Sequence, residues 1–194
     1  TKTQLAAVSK TQTTVFNLLK NHGFDKKNPN DYWTKSSTSA VFTQTHAHTG
    51  YRSVKLPSGT YIEQSFSVNA GAVYTASAYF TGAAGGVVQV LNGSAVIAQS
   101  DPAQTFGTTG SDWTRGVAVF TVPTGVSNIK IRIAQPQSAS GTAYADSVQL
   151  ETGETPNRYN MLQNSDFTDG ASSSDDSDNS TGYAQNVVGD TAIP

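Results

Sequence analysis

Apolar and polar residues alternate with a period of two through most of the chain between residues 41 and 150. The pattern is clearest from Tyr61 to Val68, where every second residue is large and the residues between are mostly polar. The residues expected on the buried side are Ile62, Gln64, Phe66 and Val68. Since successive side chains of a strand point to opposite faces, this period predicts half-buried β-strands and no helices.

Turn sequences separate these stretches, and Asn92-Gly93 is the strongest signal of a tight hairpin. The pattern predicts about nine or ten short strands with turns roughly every 8–12 residues, the spacing of an all-β sandwich or barrel. Because each strand has only one apolar face, two sheets must cover each other. We therefore predict an all-β, antiparallel two-sheet β-sandwich of the jelly-roll type. On the last strand, one face is expected to carry Tyr144, Asp146, Val148 and Leu150.

Composition narrows the functional classes. The chain of 194 residues has no Cys, only 13% charged residues and a formal net charge of −2. The lack of Cys excludes disulfides and thiol chemistry. The lack of a Lys/Arg cluster disfavours nucleic acid and anionic membranes as partners. No apolar run approaches the ~18 residues of a transmembrane helix. Because the sequence starts at Thr1, we expect it to be part of a longer protein.

A repeated segment sets the expected domain boundaries. The stretch Phe16–Asp25 recurs without a gap at Tyr159–Thr168, with an aromatic residue, Asn, Leu, Asn and Phe in matching places. We expect one complete module at residues 16–152 and the linker and truncated start of a second module at 153–194. Residues 1–15 are either a tether or an edge strand. The Ser- and Asp-rich run at 170–182 is expected to be flexible.

Four motifs carry a family resemblance, and they occur at residues 17–25 (Asn-Leu-Leu-x-Asn-x-Gly-Phe-Asp), 32–33 (Tyr-Trp), 113–115 (Trp-Thr-Arg) and 144–151 (Tyr-Ala-Asp-Ser-Val-Gln-Leu-Glu). Together they resemble the jelly-roll carbohydrate-binding modules of the xylan- and cellulose-binding type. The run from Tyr144 to Asn160 is similar to the junction between tandem copies in bacterial cell-wall-associated YD-repeat (RHS) proteins. The resemblance implies a secreted or cell-surface protein, with neighbouring modules of the same chain and a polysaccharide or cell-wall glycan as partners.

The resemblance also implies a structural Ca²⁺ that joins the N-terminal segment to the last strand. Its ligands would be the Asp25 and Asp146 carboxylates, the backbone carbonyls of Gly23 and Arg52, and the Thr49 side chain. Calcium takes six to eight oxygen ligands, including carboxylates. Thr49 departs from the family pattern, where a carboxylate can stand, and this should weaken the site. The alternative is that both Asp residues cap loops through hydrogen bonds to the backbone.

Sugar binding requires flat aromatic rings beside a few directed polar groups on a concave surface. Trp33 and Trp113 are better explained as core or rim residues. The alternation places Tyr61 and Tyr79 on the solvent-facing side of their strands, and they are the candidate rings for sugar stacking. The candidate hydroxyl partners are Gln89, Lys130 and Arg132. An aromatic pair on one sheet face would favour sugar binding, whereas buried or widely separated Tyr61 and Tyr79 would favour a spacer.

Other chemistry finds little support. His46 and His48 lie two residues apart but lack a third metal ligand, so a solvent-exposed loop is expected. The sequence contains no Gly-x-Ser-x-Gly, His-Glu-x-x-His or phosphate-loop motif. The three Glu residues suggest no pair of carboxylates for glycoside hydrolysis. The sequence therefore predicts a non-catalytic module that binds polysaccharide on a concave sheet face. The alternatives are a structural spacer or adhesion module without sugar binding and, as a distant third, a jelly-roll lyase or hydrolase.

Overall fold

The computed structural model describes residues 17–104 and 108–157. The N-terminal stretch 1–15, the second segment start at Tyr159–Thr168 and the Ser- and Asp-rich run lie outside the described residues. Within the described ranges, no helix is long and apolar enough to cross a membrane.

Ten strands account for the regular structure of these residues. They are β1 Thr34–Lys35, β2 Val41–Thr43, β3 Ser53–Pro57, β4 Thr60–Ser67, β5 Val73–Gly82, β6 Val87–Asn92, β7 Ala95–Gln99, β8 Thr114–Thr121, β9 Asn128–Gln135 and β10 Thr142–Thr152. The first sheet has the order β1-β4-β9-β6-β7, and the second has the order β2-β3-β10-β5-β8. Every strand pair is antiparallel. The predicted two-sheet β-sandwich is confirmed.

The core lies between the sheets and follows the period-two pattern. On β4, Ile62 is fully buried while its neighbours Tyr61 and Glu63 remain partly exposed. Fully buried side chains from both sheets fill the interior, among them Val54, Leu56, Ala76, Phe80, Val90, Ile131, Ile133 and Leu150. Asn92-Gly93 lies at the hairpin between β6 and β7, and Gly93 has a φ of 61°, which glycine adopts without steric cost.

The expected single face of the last strand is wrong, because β10 contains a bulge. The register with β5 shifts between Asp146 and Gln149, and Ser147 has a φ of 53°. The extra residue reverses the phase, so Val148 joins Ala145 in the core while Asp146 pairs with Tyr79 on the opposite face. Asp146 is nevertheless completely buried, which means that something other than the core must cover it.

The N-terminal segment joins the second sheet beside β10. The Asn17 side-chain amide donates to the Val148 carbonyl at 2.7 Å, and its oxygen accepts from the Leu150 N–H at 3.1 Å. The Leu18 N–H donates to the Leu150 carbonyl at 2.8 Å. Asn17 therefore continues the second sheet along the part of β10 that no longer pairs with β3.

The residues after β10 lie against the outer face of the second sheet. Thr75 donates its hydroxyl to the Gly153 carbonyl at 2.7 Å. The Asn157 N–H donates to Glu151 at 3.1 Å, and the Asn157 carbonyl accepts from the Arg115 guanidinium at 2.7 Å. The first part of the predicted linker, residues 153–157, is therefore bonded to three strands of the module that precedes it.

Candidate functional site

Asp146 is covered by the loop between β2 and β3. Its Oδ2 accepts from the backbone N–H groups of His48 and Thr49 at 2.8 and 3.0 Å, and its Oδ1 accepts from the Ser147 N–H at 2.5 Å. Burial, helped by the nearby Asp25 charge, raises the pKa of Asp146 to about 8, against the lowering effect of these backbone hydrogen bonds. The three backbone N–H groups stabilise the charged form of Asp146, whereas the negative charge of Asp25 destabilises it.

Asp25 accepts hydrogen bonds from the same loop, from residues just after those that contact Asp146. It is 2% exposed, and its Oδ1 accepts from the Tyr51 and Arg52 N–H groups at 2.8 and 3.0 Å. Gly50 lies between the two attachment points with a φ of 65°. A Cβ at Gly50 would come within 1.7 Å of Asp25 Oδ2, so only glycine lets the loop approach this closely.

This arrangement fits the donor set expected for calcium in part. The two carboxylates and the loop with Thr49 and Arg52 come together, and Gly23 is buried two residues before Asp25. The Thr49 hydroxyl, however, is engaged with the Ser147 hydroxyl at 2.9 Å. Among the described residues, no group of three or more His, Cys, Asp or Glu side chains could hold a metal ion. An ion here would have two carboxylates and otherwise uncharged oxygens as ligands.

The outer face of the second sheet contains His48 and Tyr79, packed against each other. The His48 ring stacks on Tyr79 with centroids 3.9 Å apart, and Trp113 meets His48 edge-on at 5.4 Å. Burial, followed by the Arg115 charge, lowers the pKa of His48. The expectation of a solvent-exposed loop is therefore wrong for His48. Its ring covers Tyr79, and Arg115 lies 5.4 Å from the Tyr79 ring.

The outer face of the first sheet carries the other candidate sugar-contacting residues. The Arg132 guanidinium lies 3.8 Å from the centroid of the Tyr61 ring. Glu63 accepts from Lys130 at 2.8 Å and from Nε and Nη2 of Arg132 at 3.1 and 2.8 Å. Gln89 faces Arg132 across β6 and β9. Partial burial alone would raise the pKa of Glu63, but the hydrogen bonds from Lys130 and Arg132 and their charges hold it below its usual value.

Tyr61, Gln89 and Arg132 thus share a face, and Tyr79 does not belong to it. Tyr61 is on β4 of the first sheet, whereas Tyr79 is on β5 of the second. The two rings cannot form the aromatic pair that would mark a sugar-binding face. By that criterion alone, the spacer alternative gains support.

A groove of about 730 Å³ continues from this face around the edge of β4. Glu63 and Lys130 belong both to the outer face and to the groove. The remaining lining residues come from the N-terminal segment, the loop before β1 and the end of β4; they are Leu18, Lys20, Tyr32, Thr34, Gln64, Ser65, Phe66 and Ser67. Its volume lies within the roughly 300–1,000 Å³ of typical ligand sites.

Comparison with known proteins decides the family. A family model described as "Carbohydrate binding domain" matches residues 16–141. The chain belongs to this carbohydrate-binding domain family. No curated protein sequence matches the chain.

Solved structures share the fold of this carbohydrate-binding domain at low sequence identity. The Stig cyclase Fisc from Fischerella sp. TAU has a TM-score of 0.55 at 14% identity, over 74% of this chain and 100% of its own. TmCBM61, solved with β-1,4-galactotriose, has a TM-score of 0.50 at 20% identity, over 71% and 99% of the two chains. The arabinose-bound MgGH51 α-L-arabinofuranosidase has a TM-score of 0.52 at 20% identity, over 70% of this chain and 26% of its own.

Sequence reasoning missed Tyr32 as a surface residue of this carbohydrate-binding domain. Tyr32 is 54% exposed at the groove, whereas Trp33 is 5% exposed and donates from Nε1 to the Asn21 carbonyl at 2.9 Å. The sequence carried no local signal for this exposure, because Tyr32 lies before β1 with a φ of 70°, where the side-chain alternation of an extended strand does not apply.

Proposed function

We propose that the chain is a non-catalytic carbohydrate-binding module that binds polysaccharide on the outer face of its first sheet. The observation that supports this proposal is a surface cluster in a member of a carbohydrate-binding domain family; its residues are Tyr61, Glu63, Lys130 and Arg132. Tyr61 offers a flat ring, one face of which lies against the Arg132 guanidinium at 3.8 Å. Glu63 and the two cations offer acceptors and donors to sugar hydroxyls, which is the combination that carbohydrate sites use.

The chemistry of Glu63 supports binding and argues against hydrolysis. Glycoside hydrolysis uses two carboxyl groups, one of which acts as an acid with a raised pKa. The pKa of Glu63 is lowered, and both its oxygens are engaged by Lys130 and Arg132. Within the described lining of the face and groove, Glu63 has no second carboxylate beside it. The family's structural neighbours include enzymes, so the non-catalytic role is part of the proposal.

We propose that a Ca²⁺ bound by Asp25 and Asp146 stabilises the module. The support is the burial of two neighbouring carboxylates under one loop, because buried like charges are costly unless a cation offsets them. Gly23, Thr49 and Arg52 would supply uncharged oxygens. The ion's role would be structural, since it would fix the N-terminal segment and the loop to β10. A secreted or cell-surface location, in an array of similar modules, completes the proposal.

The second candidate is a spacer module that keeps the fold without binding sugar. The observation that favours it is the separation of Tyr61 from Tyr79 on different sheets. The two candidates differ in one measurable property, the retardation of the protein in gels that contain polysaccharide.

Affinity electrophoresis against a panel that includes β-1,4-linked galactan and xylan, followed by calorimetry on any glycan that retards the protein, tests the proposal. We expect Tyr61→Ala and Arg132→Gln to weaken binding by roughly tenfold or more, equivalent to about 1.4 kcal/mol or more. Tyr51→Ala is the matched control, because Tyr51 is 57% exposed and lies outside the proposed face. Absence of retardation by every glycan, with correct folding, would leave the spacer function.

A further inference from the structure

Tyr32 combines backbone strain with exposure. Its φ is 70°, in the left-handed region that bulky residues avoid, and its side chain is 54% exposed. A strained conformation persists only where the surroundings impose it, and such residues concentrate at ligand sites. Exposure means that burial of its ring in the protein core does not compensate for the strain.

Hydrogen bonds to the preceding segment impose this conformation. The Asn21 side-chain amide donates to the carbonyls of Pro29 and Asp31 at 3.1 and 3.3 Å. The next residue, Trp33, is anchored in the core and bonds to the Asn21 carbonyl. The backbone on both sides of Tyr32 is therefore fixed, and its ring lines the groove with the Lys26 ammonium 5.2 Å from the ring centroid. A side chain on a fixed backbone loses less entropy when a ligand stacks on it than one on a freely moving loop.

The groove floor offers backbone groups as well as hydroxyls. β1 pairs with β4 only at Ile62 and Glu63, so β4 has no strand beside it at Ser65 and Ser67 along the described chain. The Tyr61 carbonyl accepts from the Ser36 N–H, so the backbone groups of Tyr61 face the β1 side of β4. Because backbone groups alternate sides along a strand, Ser65 and Ser67 direct their N–H and C=O groups to that same open side. Their side chains are exposed.

We propose that this groove is an additional sugar subsite, in which Tyr32 is the stacking platform and the open edge of β4 supplies donors and acceptors. The inference rests on the proposed function. Its occupant is the continuation of the polysaccharide that lies across the outer face of the first sheet, because Glu63 and Lys130 belong to both surfaces and make them continuous. The subsite takes uncharged, hydroxyl-rich sugar residues, since a ring face beside mixed donors and acceptors suits them.

The test is a calorimetric titration with oligosaccharides of increasing length, prepared from the glycan that retards the protein. We expect Tyr32→Ala to lower the affinity for the longest oligosaccharides by roughly tenfold and to leave the shortest ones within about twofold. Tyr51→Ala should change neither. Tyr32→Gly should show the same length-dependent loss while the protein is at least as stable as the wild type, because glycine adopts this φ without strain.

The outcomes separate this inference from the proposed function. If the wild type binds no glycan, both are overturned. If Tyr61→Ala weakens binding but Tyr32→Ala leaves the affinity for every length unchanged, the subsite alone is overturned. The subsite would also be overturned if an added peptide bound along the open edge of β4 while Tyr32→Ala left oligosaccharide affinity unchanged. That result would assign the edge to strand pairing.

Discussion

Gly50→Ala tests whether the loop over Asp25 and Asp146 is fixed by contact with the buried carboxylates. The added Cβ would lie 1.7 Å from Asp25 Oδ2, a distance that no relaxation of the methyl group alone can relieve. Asp25 is 2% exposed and has little room to withdraw. The substitution therefore forces either the carboxylate or the loop out of place.

The expected cost has two parts. Placing alanine at a φ of 65° costs about 1–2 kcal/mol. Displacing Asp25 also breaks its hydrogen bonds to Tyr51 and Arg52, and hydrogen bonds to charged groups contribute about 1.5–3 kcal/mol each. We therefore expect about 3–6 kcal/mol beyond the backbone cost, which is a large share of the about 5–15 kcal/mol that stabilises a typical domain.

Urea unfolding followed by tryptophan fluorescence measures this cost, since Trp33 is buried in contact with Phe24 next to Asp25. Gly71→Ala is the matched control, because Gly71 has a φ of 79° and nothing within 4 Å of an added Cβ. The difference between the two variants isolates the carboxylate contact. Equal midpoint shifts for both would refute the reasoning, because they would show that Asp25 and the loop move apart without cost.

Two further predictions follow from the same residues and from the linker. Without calcium, the unfolding free energy should fall as the pH rises from about 4 to about 8, because the folded protein keeps the Asp146 proton that the unfolded chain releases near its usual pKa of 3.8. Asp146→Asn should flatten this fall. Calcium should raise the melting temperature at pH 8 in the wild type only, so a melting temperature unaffected by calcium or EDTA would contradict the metal site. Arg115→Gln should speed hydrogen exchange at the Asn157 amide, which bonds to Glu151 beside the Arg115 contact, whereas unchanged exchange would show that Arg115 does not hold the linker.

The sandwich was predictable because its signal is local. A strand with one buried face needs only alternating side chains, and the row Ile62, Gln64, Phe66, Val68 shows that alternation directly. The hairpin at Asn92-Gly93 was predictable for the same reason, since its conformation depends on two residues. The prediction of a single face for the last strand failed because its signal is not local. The bulge at Ser147 depends on how β10 pairs with β5.

The candidate site shows the same division. The sequence by itself determined which residues could carry the chemistry: the carboxylates Asp25 and Asp146, the tyrosines, and the cations of β9. Only the tertiary structure decided which of them meet. It put Tyr61 with Arg132 on one sheet, covered Tyr79 with His48 on the other, and set Tyr32 beside a groove. The physical reason is that a period of two fixes the face of a strand, whereas the sheet to which it belongs depends on pairing between distant strands.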